Sequence, residues 1–244
     1  MEKDNLFRTT LSTLMLVLAI PALAQQAVPR FEVGAQFSML SLNRPSQLIT
    51  NPIDPGFIGF ASAKDKRIEA GFGGRFTYNL TNNVAFEAEG NLFPASEFRA
   101  PNGIFEGDFG PGPRGRIFQG QFGAKIGKRF RRLGIFGKAR PGLVGFSRVT
   151  RLLSTLNVTN APGLPPFVVG RFGTGKAIYF SADLGAIVEY YASRRVFTRF
   201  DLGDTIIHYG SFSGPGAFLS RAIIMRPPEI KHNLQFSAGV GFRF

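Results

Sequence analysis

The final stretch, Asn233 to Phe244, leaves the chain least freedom. Leu234, Phe236, Ala238, Val240, Phe242 and Phe244 alternate there with Asn233, Gln235, Ser237, Gly239, Gly241 and Arg243. A strict period of two is a strand signal, because a helix would scatter these apolar side chains around its circumference. The apolar face runs to a terminal aromatic. An exposed edge strand of this composition invites aggregation in water. The pattern suits a strand paired on both edges in a closed sheet whose outside faces hydrocarbon. A soluble all-β barrel or sandwich is the alternative.

Seven further stretches carry the alternation. Strands are expected at Arg30–Leu40, Arg67–Leu80, Val84–Phe93, residues 116–127, Ile135–Phe146, Ala177–Tyr190 and residues 196–209. Pro141 lacks a donor for its ladder, so a bulge is expected there, and the phase blurs after Asp204, as a slip or second bulge would produce. Connections alternate in length. Short turns fall near 81–83, 128–134 and 191–195, whereas the segments 41–66, 94–115, 147–175 and 210–230 are long and punctuated by Pro and Gly. A short extension of the first hairpin is expected near Phe57–Phe60. Eight strands with segregated loop lengths predict an all-β, up-and-down antiparallel transmembrane barrel, with short turns and both termini in the periplasm.

The ending Ser237, Gly239, Phe242, Phe244 resembles the carboxy-terminal assembly signal of bacterial outer-membrane β-barrels. With the eight strands, the chain resembles the small barrels of the outer-membrane protein A transmembrane-domain type. The resemblance implies handling by the barrel assembly machinery and residence among outer-membrane lipid and lipopolysaccharide. It implies structural support, surface interaction through four long loops, or small-solute passage. No sequence follows Phe244, so the peptidoglycan-binding domain of larger relatives is not expected.

Export is expected from the other end. Lys3 and Arg8 flank an apolar run from Leu11 to Leu23, and Ala22-Leu23-Ala24 offers a small-residue cleavage site before Gln25. Residues 1–24 read as a secretory signal peptide and 25–244 as the barrel domain. The chain has no Cys, which removes thiol catalysis, thiolate metal sites and lipoprotein anchoring. Its formal charge of +13 raises nucleic acid as a partner. An exported chain with no nucleic-acid module points instead to lipid phosphates or anionic envelope polymers.

The polar strand faces carry a balanced inventory. The inward acids are Glu32, Glu69, Glu87, Glu89, Asp183, Glu189 and Asp201; the inward bases are Arg67, Arg75, Lys125, Lys138, Arg140, Arg199 and Arg243. Isolated buried charges are costly, so a neutral salt-bridge network filling the lumen is expected. Lys128, Arg129, Arg131, Arg132, Arg194 and Arg195 are expected as solvated caps on the turns. Arg148, Arg151, Arg171, Arg221 and Arg226 are expected on or near the outer loops.

Catalytic signals are thin. His208 lies near Ser211, a pairing similar to that of outer-membrane lipid A deacylases, but at the wrong spacing and with no orienting acid. His232 is the other histidine, and both are expected in structural positions. The string from Gly170 to Lys176 departs from the GxxxxGK[ST] phosphate loop. No catalytic residue, cofactor or metal is expected. The reading is a non-enzymatic outer-membrane barrel with a structural or surface role. The alternatives are a narrow diffusion pore, an envelope-complex subunit and a lipid-modifying enzyme.

Overall fold

The computed structural model describes residues 29–43, 45, 47–50, 58–61, 66–94, 114–158, 167–215 and 223–244. The expected signal peptide, the bulk of the second long connection and Arg221 lie outside them. Among the described residues twelve strands form: β1 (Phe31–Asn43), β2 (Gln47–Thr50), β3 (Ile58–Ala61), β4 (Lys66–Asn79), β5 (Val84–Phe93), β6 (Arg114–Arg129), β7 (Leu133–Val158), β8 (Phe167–Tyr191), β9 (Val196–Tyr209), β10 (Phe212–Pro215), β11 (Ile223–Arg226) and β12 (Glu229–Arg243).

Eight of them close into one antiparallel barrel in the order β1-β12-β9-β8-β7-β6-β5-β4, with β4 paired back to β1. Closure matters because each backbone donor and acceptor within a membrane needs a partner in the protein. The seam holds to the end of the chain: Phe31 N donates to Phe244 O at 3.1 Å and Phe244 N to Phe31 O at 2.9 Å. Both termini of the barrel therefore lie at its short-turn end.

The outward face is apolar all the way round. Phe72, Phe118, Phe122, Phe242 and Ile178 are among many large apolar side chains left more than half exposed. A belt of this kind far exceeds what a soluble monomer shows to water. It makes the fold a transmembrane barrel. At the short-turn end the outward rings cluster, with Phe31 at 5.4 Å from Tyr78 and 6.2 Å from Phe244 between centroids.

Three expectations are corrected. Pro141 makes no bulge: it sits opposite Ala182 in an unbroken β7–β8 register, exposed on the outer face. The phase of β9 does not slip after Asp204 either, since both of its ladders run continuously. Its inward face simply becomes apolar, at Ile207 and Tyr209. The stretch 147–175 is largely strand, because β7 and β8 extend well past the barrel wall as a paired hairpin. The real irregularities lie at Arg114/Ile117, Phe146/Val149 and Leu152/Ser154.

The first and fourth long connections contribute a second sheet, ordered β10-β11-β2-β3. The hairpin extension expected near Phe57–Phe60 is the β2–β3 pair, but its partner is β11 from the other connection. These two connections flank the β1–β12 seam, so the topology brings them together.

The seam also explains one glycine. Gly239 faces inward against β1, and a Cβ there would run into the Ala35 carbonyl oxygen and crowd Gln36 Cβ at 2.8 Å. Backbone cannot yield as a side-chain tip can. Gly239→Ala is expected to destabilise the barrel by about 1–3 kcal/mol, read as a lower denaturant midpoint in lipid vesicles. An unchanged midpoint would show that β1 and β12 do not approach this closely.

Candidate functional site: the layered lumen

An eight-stranded barrel encloses space that side chains can fill. In this one the filling changes character along the axis. Nearest the short turns, Phe136, Tyr191 and Phe197 are buried at the inner rim. Phe197 lies over Gly241, where a Cβ would meet its ring.

The charged layer comes next. Six acids (Glu32, Glu87, Glu89, Asp183, Glu189, Asp201) meet six bases (Arg75, Lys125, Arg129, Lys138, Arg140, Arg199) in one connected set of ion pairs. Glu87 is the hub. It accepts from Arg199 Nη1 at 2.5 Å and Nη2 at 2.9 Å, from Arg140 Nη1 at 3.4 Å and from the Thr77 hydroxyl at 3.1 Å. Lys125 Nζ stands 3.3 Å away. Arg140 spans the lumen, reaching Glu89 at 2.6 Å on β5 and Asp183 at 2.5 Å on β8. Arg199 turns back along β9 to Asp201 at 2.7 Å, and Lys138 joins Asp183 at 2.7 Å. These groups, Arg129 excepted, are almost wholly buried, so their attraction is poorly screened and balance of charge matters.

The sequence-derived inventory and this layer overlap without coinciding. Arg243 does not face the acids. It is half-exposed at the rim, donating to the Arg194 and Ser193 carbonyls at 2.9 and 3.2 Å, with its guanidinium 4.2 Å from the Tyr191 ring centre. Its strand is leaving the wall there, so the side chain caps a turn. Arg129 does the reverse. Placed among the turn caps by sequence, it extends inward from the end of β6, where Nη2 reaches Glu32 and Asn79, each at 2.8 Å. Its parity is that of Lys125, and a strand longer by two residues brings it into the lumen. Arg67 and Glu69 sit opposite Leu42 and Leu40 at the loop-side end of β4, where both have partners of their own.

Above the charges lies a neutral polar layer. Asn91 links the two, donating to Glu89 at 2.8 Å and to Gln119 at 3.0 Å while accepting from Gln36 at 2.8 Å and Ser38 at 3.1 Å. Gln119 and Thr205 converge on Gln235 at 2.9 and 2.7 Å, and Ser38 meets Ser237 at 2.8 Å. Ser237 thus belongs to the interior, Gly239 to the seam, and Phe242 and Phe244 to the lipid face.

The loop-side end is mostly apolar, with Arg67 and Glu69 of β4 beside Leu42 and Leu40. Leu40, Leu42, Phe93, Ile117, Val144, Phe146, Val149, Ile207 and Tyr209 form one buried cluster, with Ala177 and Tyr179 against it. Tyr179 and Tyr209 meet edge-on at 4.9 Å between ring centres. Sequence reasoning missed this layer. Its signal was present in apolar doublets such as Leu92-Phe93, Ile117-Phe118, Leu143-Val144 and Ile206-Ile207, where the inward partner turns oily.

Both histidines stand on the outer wall. His232 is exposed on the outside of β12, with Nδ1 at 2.5 Å from Asp204 Oδ2. His208 faces outward on β9 opposite Phe180 and Ile230, with no hydrogen bond to Ser211 among the described residues. The string from Gly170 to Lys176 lies inside β8. Among the described residues no group of three or more His, Cys, Asp or Glu side chains is arranged to hold a metal ion.

No protein-family model matches the chain, and no curated protein matches it. Solved structures do. The chain is similar to the outer membrane protein OprG from Pseudomonas aeruginosa, at 12% identity over 89% of this chain and 96% of that one, with a TM-score of 0.45. It is similar to the N-terminal β-barrel domain of Pseudomonas aeruginosa OprF, at 13% identity over 86% and 97%, with a TM-score of 0.38. Neisserial surface protein A matches at 14% identity over 88% and 97%, with a TM-score of 0.39. The likeness is spread over several small bacterial outer-membrane barrels and singles out no one family.

Proposed function

We propose that the chain is a small outer-membrane barrel of the outer-membrane protein A transmembrane-domain kind, working without catalysis as a sealed structural element that presents its loops at the cell surface. The observation that carries this reading is the lumen. A charge-balanced layer, a hydrogen-bonded neutral layer and an apolar layer follow one another across it. A solute path needs continuous wetted space, and a dry apolar constriction resists ions even where it is not fully closed. The diffusion-pore reading meets that obstacle at the loop-side end and a second one in the charged layer.

The two ends of the barrel differ as the reading requires. Short turns and both barrel termini share one end, which faces the periplasm. The extended β7–β8 hairpin and the small second sheet belong to the other, which faces the medium. The ending from Ser237 to Phe244, with its two exposed aromatics, supports recognition by the barrel assembly machinery.

The absence of cysteine makes orientation simple to test. Ser154 is exposed on the extended hairpin and Ala192 on a short turn. A membrane-impermeant maleimide is expected to label Ser154→Cys on intact cells, and Ala192→Cys only after the outer membrane is permeabilised. Labelling of Ala192→Cys on intact cells would reverse the proposed orientation.

A further inference from the structure

At the loop-side edge of the apolar belt, three adjacent strands turn basic side chains outward at one level. Arg116 on β6, Arg148 on β7 and Lys176 on β8 are all exposed. Two bulges set the arrangement. In β6, the register changes between Arg114 and Ile117, so that Ser147 faces both Gly115 and Arg116. Gly115 takes the left-handed φ of 76° that such a bulge demands, and Arg116 N donates to Ser147 Oγ at 2.8 Å. In β7, Ser147 and Arg148 together stand opposite Lys176 alone, between the Phe146–Ala177 and Val149–Gly175 pairs.

The second bulge reverses the parity of β7. Val144 and Phe146 point inward, so regular alternation would send residue 148 inward as well and put a guanidinium into the apolar layer. The extra residue swings Arg148 to the outside and returns Val149 to the interior, where it is 7% exposed. The outcome is a line of cations across three neighbouring strands.

Like charges side by side on a sheet repel one another. Among the described residues no carboxylate pairs with Arg116 or Arg148. Directly beneath them the wall is bare hydrocarbon-facing surface: Phe118, Leu143, Ile178 and Phe180 are each more than half exposed. The cations therefore sit at the depth where lipid headgroups begin.

We infer that Arg116 and Arg148, with Lys176 (which has a partner of its own) beside them, bind the phosphate of a phosphomonoester-bearing glycolipid in the leaflet on the loop side, with its acyl chains lying along Phe118, Leu143, Ile178 and Phe180. A monoester approaches two negative charges near neutral pH, a better match for clustered cations than the single charge of a phosphodiester. Arg also offers paired donors to phosphate oxygens. The inference rests on the outer-membrane reading for the identity of the leaflet, but its test does not.

Purified protein in detergent, mixed with a diphosphorylated disaccharide lipid, is expected to retain that lipid in native mass spectra. Arg116→Gln/Arg148→Gln should lower retention by at least about tenfold. Lys66→Gln, which removes an exposed base at the loop end of β4, should leave retention unchanged. Equal retention by the double variant, equal retention of the dephosphorylated lipid, or displacement of the lipid by millimolar inorganic phosphate would overturn the assignment. If the double variant does not fold, the parent protein still decides. Phenylglyoxal should modify Arg116 and Arg148 in vesicles of zwitterionic lipid and spare them in vesicles carrying the phosphorylated lipid, whereas equal modification would sink the site. Detergent binding is blind to orientation, so its failure is distinguishable from a reversed maleimide pattern on cells.

Discussion

Replacing Glu87 with leucine is expected to cost the barrel about 3–5 kcal/mol, the usual penalty for removing one partner of a buried ion pair. Glu87 accepts hydrogen bonds from Arg140 and from both terminal nitrogens of Arg199, and lies beside Lys125. None of the three cations can turn to water when it goes, because each is buried. Glu87→Gln keeps the shape and removes only the charge, so it isolates the electrostatic part. Arg199→Gln leaves the opposite imbalance, with Asp201 and Glu87 each losing a partner. The double variant restores neutrality, and its cost should fall short of the sum of the two singles by about 1–3 kcal/mol. Denaturant unfolding in lipid vesicles, or the temperature at which the fast-migrating folded band is lost on unboiled gels, reads the effect. Single variants within about 0.5 kcal/mol of the parent, the range of ordinary surface substitutions, would mean that water reaches this layer and screens it.

This expectation concerns balance rather than gain. A buried network replaced wholesale by well-packed apolar residues is often no less stable. What the twelve groups provide is one arrangement: Arg140 reaches β5 and β8 from β7, and Lys125 reaches β1 and β8 from β6. A slip of one strand by a single residue would turn its charges into lipid and its phenylalanines into the lumen. Charge pairing across the lumen therefore holds register as well as filling space.

Much of this is legible in the sequence. Alternation identifies the barrel strands and their lipid faces, since burial in lipid and burial in the lumen impose opposite chemistries on adjacent residues. Glu32, Glu87, Glu89, Asp183, Glu189 and Asp201 are assigned inward by parity alone, and the structure places all six inside. Parity fails where strands end. Arg243 departs from it because a side chain within a residue or two of a turn can lean either way, whereas Arg129 keeps the parity of Lys125 and enters the lumen because β6 runs two residues further than alternation shows. The apolar layer was hidden for a different reason. Alternation distinguishes faces by polarity, and near Ile207 and Tyr209 the inward face turns oily while the outward one carries Asp204 and His208, so the contrast that marks a strand reverses and imitates a slip. The missing donor of Pro141 suggests a bulge there, yet an outward-facing residue tolerates that loss without any change of register. Two of the register shifts sit at Gly115 and at Ser147-Arg148, where side-chain parity had to change, and a third lies on the extended hairpin at Leu152/Ser154.

The layered lumen sets an order in which the barrel can be opened. The parent protein is expected to show no unitary conductance in planar bilayers. Arg140→Ala removes the side chain that spans the charged layer, but Phe93, Phe146, Ile207 and Tyr209 still close the loop-side end, none of them more than 2% exposed. That variant should stay silent. Phe93→Ala/Phe146→Ala/Tyr209→Ala widens the apolar end yet leaves Arg140 and Arg199 across the charged layer, so it should stay silent too. The combination of all four substitutions is expected to conduct, because only then do both obstructions yield. Loss of Arg140 leaves Glu87, Glu89 and Asp183 each short of a cation, so the open form should prefer cations, read as a shifted reversal potential in a salt gradient. Each variant needs its folded band on unboiled gels before its trace is interpreted. Steady channel steps from the parent would place a continuous water path through the lumen, and conduction by Arg140→Ala alone would remove the apolar layer as a barrier.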